Sequence, residues 1–169
     1  MTYEFAAHRI PAMEIISIRD QVAPDAFPTF LSEVFPELFE FVGRHGVPAT
    51  GHPFVIYHAF GPEQIDAEVC VPVAAPGPAD DRILARTLAA VTVVRTLHVG
   101  PYEELGSAYA AMTEWVTDHG YASAGPVRER YLTGVADDVP PSSYRTELDL
   151  PVDEVTTEAP TRGTPVEVG

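Results

Sequence analysis

The chain has 169 residues, 46% of them hydrophobic, which is enough for one domain with its own core and argues against wholesale disorder. It carries 25 acidic residues against 10 basic ones, a formal net charge of -15 with no basic run, which argues against a direct nucleic-acid-binding surface. The single cysteine, Cys70, excludes an intramolecular disulfide, and with no leader-like N-terminus and no apolar run near the ~20 residues of a membrane span, a soluble cytoplasmic protein is expected.

In chain order, Tyr3 to Ile10 has strand character and stops at Pro11. Met13 to Val22 reads as a buried strand through Ile15, Ile16, Ile18 and Val22. After a turn at Pro24 to Pro28, apolar residues recur at helical spacing from Phe27 to Arg44. Pro36 lies inside that helix, where a missing backbone donor predicts a kink or a restart. Gly46 is a stop signal. Phe54 to Phe60 and Ile65 to Val73 read as two strands separated by Gly61-Pro62, and Ala74 to Asp81 reads as a linker.

The pattern then returns. Val91 to Val99 is a strand, Tyr102 to His119 a helix stopped by Gly120, and Gly125-Pro126 opens a strand that runs to Gly134. Tyr144 to Val152 alternates as a last strand. Residues align between the halves: Ile15 to Arg19 with Val91 to Arg95, His45-Gly46 with His119-Gly120, Gly51 with Gly125, Tyr57 with Tyr131, and Ala67 to Val73 with Thr146 to Val152. The expected fold is α+β, a tandem pseudo-twofold pair of strand-helix-strand-strand modules sharing one core, with a ligand groove on the axis. The expected organisation is one domain over residues 1–152, with modules at about 3–73 and 91–152, followed by a flexible acidic tail over 153–169.

Period two puts Val127, Glu129, Tyr131 and Thr133 on one face of the Gly125–Gly134 strand, with Arg128 and Arg130 on the other. Glu129 is the leading candidate for a functional carboxylate. Beside Tyr131 it suits a cationic ligand, or it acts as a general base on a water; the competing reading is a rim glutamate. Tyr57 and Tyr131 offer ring faces to a ligand or else are core aromatics with satisfied hydroxyls. Tyr102, Tyr109 and Trp115 on the second helix and Phe35 and Phe39 on the first are candidate lining residues, although helical spacing is more often core. Glu147, alternating with Arg145 and Asp149, reads as a solvated strand face, and Glu68 is its symmetry mate. His45 and His119 end helices. His58 faces away from Tyr57. The six histidines show no metal spacing, and no phosphate loop or Gly-x-Ser-x-Gly occurs, so neither a metal nor a cofactor is expected.

Taken in order, Ile10-Pro11-Ala12, Ile16-Ser17-Ile18-Arg19, Phe54-Val55-Ile56-Tyr57-His58, Glu68-Val69-Cys70-Val71-Pro72-Val73, His98-Val99-Gly100-Pro101-Tyr102, Glu129-Arg130-Tyr131 and Thr146-Glu147-Leu148-Asp149-Leu150-Pro151-Val152 resemble the GyrI-like family, the effector-binding domain of MerR-type and AraC-type regulators. The resemblance spans Tyr3 to Val152. It implies a groove between two modules that binds small, often cationic or aromatic, hydrophobic compounds, with Glu129 at the position of the family's groove glutamate. In contrast with the regulators, no helix-turn-helix head is expected ahead of the first strands. Three readings stand side by side: a stand-alone binding module serving a regulator, a small hydrolase of electrophilic toxins using Glu129, and a protein-interaction module that shields gyrase.

Overall fold

A computed structural model describes residues 2–155. Its strands are β1 (Ala6–Ile10), β2 (Met13–Val22), β3 (Phe54–Phe60), β4 (Ile65–Val73), β5 (Leu84–Leu88), β6 (Val91–Val99), β7 (Tyr121–Ser123), β8 (Arg128–Thr133) and β9 (Arg145–Glu154). The helices are α1 (Phe27–Arg44) and α2 (Leu105–Asp118). One antiparallel sheet runs in the order β1-β6-β9-β8-β3-β4-β2-β5, and β7 adds to β9.

The central part of that order is a palindrome. β2, β3 and β4 correspond in the repeat to β6, β8 and β9, so β6-β9-β8 meets β3-β4-β2 head to head. The junction is the β3–β8 pair, in register at Phe54 with Arg130, Val55 with Glu129 and Ile56 with Arg128. Val55 and Glu129 are themselves repeat equivalents, so the pseudo-twofold passes through that pair. The outer strands tie the halves together: β1 precedes the first half but pairs with β6, and β5 precedes the second half but pairs with β2.

Both helices lie on one face of the sheet. α1 packs over β2 and β4, and α2 over β6 and β7. Ile16, Ile18, Val34, Leu38 and Val69 form the core under α1, and Val94, Ala108, Met112, Leu148 and Val152 the core under α2. Each such side chain contributes about 1.5–3 kcal/mol when fully buried. Alternation sends Ile15, Phe54, Ile56 and Cys70 to the reverse face, where they form a third cluster with Leu88. The β3–β8 pair is left as the floor of a cleft between the helices.

Several expectations are corrected here. Pro36 does not interrupt α1, which is one helix across it. The apolar face made by Phe30, Val34, Leu38 and Phe41 is buried on both sides of the proline, and that burial offsets the lost backbone donor. β5 lies where no strand was read, because it is a short edge strand whose Arg86 and Thr87 break the apolar pattern and which is held by pairing with β2. The three-residue β7 was likewise not legible. The second helix opens with a 3₁₀ turn over Tyr102–Glu104. The segment read as a tail from residue 153 begins inside β9, where Asp153 and Glu154 pair with Ala122 and Tyr121. Its remainder, from residue 156, lies outside the described residues.

Candidate functional site

Glu129 sits at the centre of the cleft floor. It is only 6% exposed and forms no ion pair among the described residues. Its partners are tyrosine hydroxyls. Tyr131, two residues along the same strand and therefore on the same face, donates to Oε1 at 2.8 Å. Tyr57, its repeat equivalent on β3, donates to the same oxygen at 3.2 Å. The two hydroxyls lie 3.4 Å apart. Tyr109 reaches down from α2 and donates to Oε2.

Aromatic rings surround these hydroxyls. Phe27 packs 5.8 Å from the Tyr57 ring, and Phe35 meets Tyr131 edge-on at 6.1 Å. Phe35 is the repeat equivalent of Tyr109, so one half supplies a hydroxyl where the other supplies a bare ring. Tyr102 stands edge-on to Tyr131 at 6.0 Å and lies 5.0 Å from Tyr144. Phe60 lies 5.7 Å from Tyr57 and is 71% exposed at the rim.

Burial raises the pKa of Glu129, because the low-dielectric surroundings penalise the charge. Hydrogen bonds from Tyr109, Tyr131 and Tyr57 act against that rise without cancelling it. Burial and the neighbouring carboxylate in turn push all three tyrosines up, so they remain donors at any ordinary pH. The result is a nearly dry carboxylate solvated by protein hydroxyls rather than by a counter-ion.

Glu129, Tyr131, Tyr57 and Tyr109 therefore converge, and Tyr102 joins them as a second ring. Trp115 does not. Its ring contacts are Phe5, His119 and Tyr121, at the far end of α2. Phe41 and His45 make the equivalent ring contact on α1, tilted rather than stacked, and in both helices the histidine Nδ1 meets the carbonyl four residues back. That arrangement closes a helix end and leaves the Trp115 ring committed elsewhere. Phe39 is also displaced from the site: it is 42% exposed, and the α1 rings that reach the cluster are Phe27 and Phe35. An amphipathic pattern cannot distinguish the part of an apolar face that meets the cleft from the part at its margin. Tyr57, Tyr109 and Tyr131 screen Glu129 from solvent at the floor of the cleft. Two shallow surface depressions, one beside His8, Arg9 and Tyr121 and one beside Arg19, Asp66 and Leu84, do not include Glu129.

The charges read as a solvated face are also different in place. Glu68 is 1% exposed. It accepts hydrogen bonds from Ser17 Oγ at 2.6 Å, Arg86 Nε at 2.9 Å and Arg86 Nη2 at 2.5 Å, and lies 2.9 Å from His58 Nε2. Burial alone would raise its pKa, but hydrogen bonds from Arg86, Ser17 and His58 outweigh it and bring the group down to about 2. Asp149, 2% exposed, is held by Arg95 at 2.7 Å and Arg130 at 3.2 Å, while Glu147 takes Arg130 at 2.7 Å. These networks lie on the reverse face and bind strand to strand. Cys70 is buried, with its thiol pushed up by desolvation, and has no nucleophilic setting.

The model of the GyrI-like small molecule binding domain matches residues 4–153. The chain belongs to that family. This GyrI-like domain is similar to the EcmrR C-terminal domain in crystal structure, at 28% identity over 92% of this chain and 100% of that one, with a TM-score of 0.82. In the cryo-EM structure of an EcmrR–DNA complex the TM-score is again 0.82 at 28% identity, with 90% of this chain matched, but the match spans only 58% of the EcmrR chain. SAV2435 bound to tetraphenylphosphonium shares the fold at 13% identity over 89% of this chain and 94% of that one, with a TM-score of 0.62. A hydrolase from Listeria innocua does so at 14% identity over 89% and 92%, with a TM-score of 0.65. No curated protein sequence matches. Among the described residues no helix is long and apolar enough to cross a membrane.

Proposed function

We propose that this GyrI-like domain binds a lipophilic organic cation in the cleft between its halves, as a receptor of the effector-domain kind, with Glu129 as the charge that recognises it. The observation that carries this reading is a carboxylate 6% exposed, without a basic partner among the described residues, ringed by three tyrosine hydroxyls. A buried charge without a counter-ion is costly, and a cation brought to it offsets that cost. The rings of Tyr57, Tyr102, Tyr131, Phe27 and Phe35 supply apolar area and cation–π contact, about 0.5–2 kcal/mol per favourable ring. Likeness to the EcmrR C-terminal domain supports the receptor reading, and the tetraphenylphosphonium bound to SAV2435 suggests a probe.

The test is calorimetric titration of tetraphenylphosphonium into wild type and Glu129→Gln. Gln keeps the shape and removes the charge, so affinity falls at least about tenfold if one charge-assisted contact is lost. Because proton and cation compete for one carboxylate, wild-type affinity also declines as pH drops through the raised Glu129 pKa. Equal affinity in the two proteins across pH refutes the assignment.

A second reading rests on the same raised pKa. A carboxylate with a pKa above the usual range suits a general base, which takes a proton from water while the oxygen attacks an electrophilic carbon and a tyrosine hydroxyl protonates the leaving atom. The hydrolase label on the Listeria innocua relative fits this chemistry. Consumption of an electrophilic probe by wild type, lost in Glu129→Gln while cation binding persists, selects it.

A further inference from the structure

Thr146 lies on β9 with its side chain on the helix-covered face, in register with His98 on one side and Tyr131 on the other. It is 0% exposed. Its Oγ1 is a buried side-chain oxygen with no hydrogen-bond partner among the described residues. The neighbours explain why. His98 has both ring nitrogens engaged, Nδ1 with the Tyr3 hydroxyl at 2.9 Å and Nε2 with the Pro101 carbonyl at 3.1 Å. The Tyr131 hydroxyl is given to Glu129. Nothing in the protein's own interior needs this hydroxyl, and valine in its place would avoid burying an unpaired polar atom.

The position of Thr146 suggests what the hydroxyl is for. Glu129 is in register with Leu148 and Tyr131 with Thr146, so Thr146 is the diagonal neighbour of the candidate carboxylate on the same face. Diagonal neighbours lie about 7–8 Å apart, the width of one aromatic ring with a substituent. Tyr102, Tyr109 and Tyr131, the rings around Glu129, are each partly exposed, and a ligand that reaches Thr146 has to displace them.

We propose that Thr146 Oγ1 is a second, neutral hydrogen-bonding point of the cleft. It selects ligands that carry a hydroxyl or carbonyl oxygen about one ring's width from the cationic centre. This rests on the cation-binding reading of Glu129, and the test separates the two. Tetraphenylphosphonium and its analogue with one para-hydroxyl are titrated into wild type, Thr146→Val and Thr146→Ser. Wild type is expected to prefer the hydroxylated probe about tenfold, the effect of one good hydrogen bond. Thr146→Val removes that preference and leaves the parent probe unchanged, while Thr146→Ser keeps it. An equal preference in wild type and Thr146→Val, with Thr146→Val melting higher, overturns the inference and makes the hydroxyl a tolerated burial. If the parent probe binds in a Glu129-dependent way but the added hydroxyl has no effect on wild type, only this inference fails. If neither probe binds wild type, the cation reading fails and this inference with it.

Discussion

Replacing Tyr109 by Phe isolates one of the forces acting on Glu129. The substitution removes a hydroxyl and keeps the ring, so packing against α2 and β8 is preserved. Oε2 then loses the tyrosine that donates to it, while Oε1 keeps Tyr57 and Tyr131. A hydrogen bond to a charged group is worth about 1.5–3 kcal/mol. That bond favours the ionised form, so its loss moves the Glu129 pKa further up, by about 1–2 units at 1.36 kcal/mol per unit. Carbon-13 NMR titration of glutamate side-chain carboxyls reads this directly, with Glu129→Gln assigning the resonance. Cation affinity near the raised pKa falls in parallel. A pKa that stays within about half a unit of wild type, or moves down, refutes the claim that tyrosine hydroxyls hold the carboxylate's charge.

Three further outcomes are expected. Glu68→Gln breaks the ion pair between buried Glu68 and the more exposed Arg86, at about 1.5–3 kcal/mol, and lowers Tm by about 3–12 °C in calorimetry; a change under about 2 °C contradicts the network's structural role. Because the folded Glu68 pKa of about 2 lies below its ordinary value of 4.5, its contribution is complete above the unfolded value and lost as pH falls toward 2, so wild type and Glu68→Gln converge in stability in acid. Gly134→Ala sets a Cβ 2.5 Å from the Tyr102 hydroxyl and must displace that ring from Tyr131, so probe affinity shifts with little change in fold by circular dichroism; unchanged affinity removes Tyr102 from the site. Trp115→Phe leaves probe affinity within about twofold despite its size, since its ring contacts lie elsewhere; a large loss, on the scale of a ring contact, reverses that placement.

Much of the site can be read from the chain because it depends on local pattern. Glu129 and Tyr131 share a face by strand period alone, and the repeat relates Tyr57 to Tyr131 before any strand is paired. The limits of β2, β3, β4, β6 and α1 coincide with the expected ones, since each is framed by proline, glycine or a clear change of period. Tyr109, in contrast, was one of several aromatics on an amphipathic helix. What separates it from Trp115 is which part of α2 meets the cleft, and an amphipathic pattern does not specify that.

The sequence by itself determined the two modules, their internal strand-helix-strand-strand order and the placing of Glu129 where the first module has Val55, because composition, period and repeat are properties of neighbours along the chain. Only the tertiary structure decided that Val55 pairs with Glu129, so that the axis of the repeat runs through the carboxylate, and that β1 and β5 exchange halves. It also decided that Glu68 and Asp149 are buried in arginine networks rather than hydrated. Strand partners, burial of charge and the direction of a helix face depend on contacts distant in sequence, where a periodic pattern carries no information about which surface meets which.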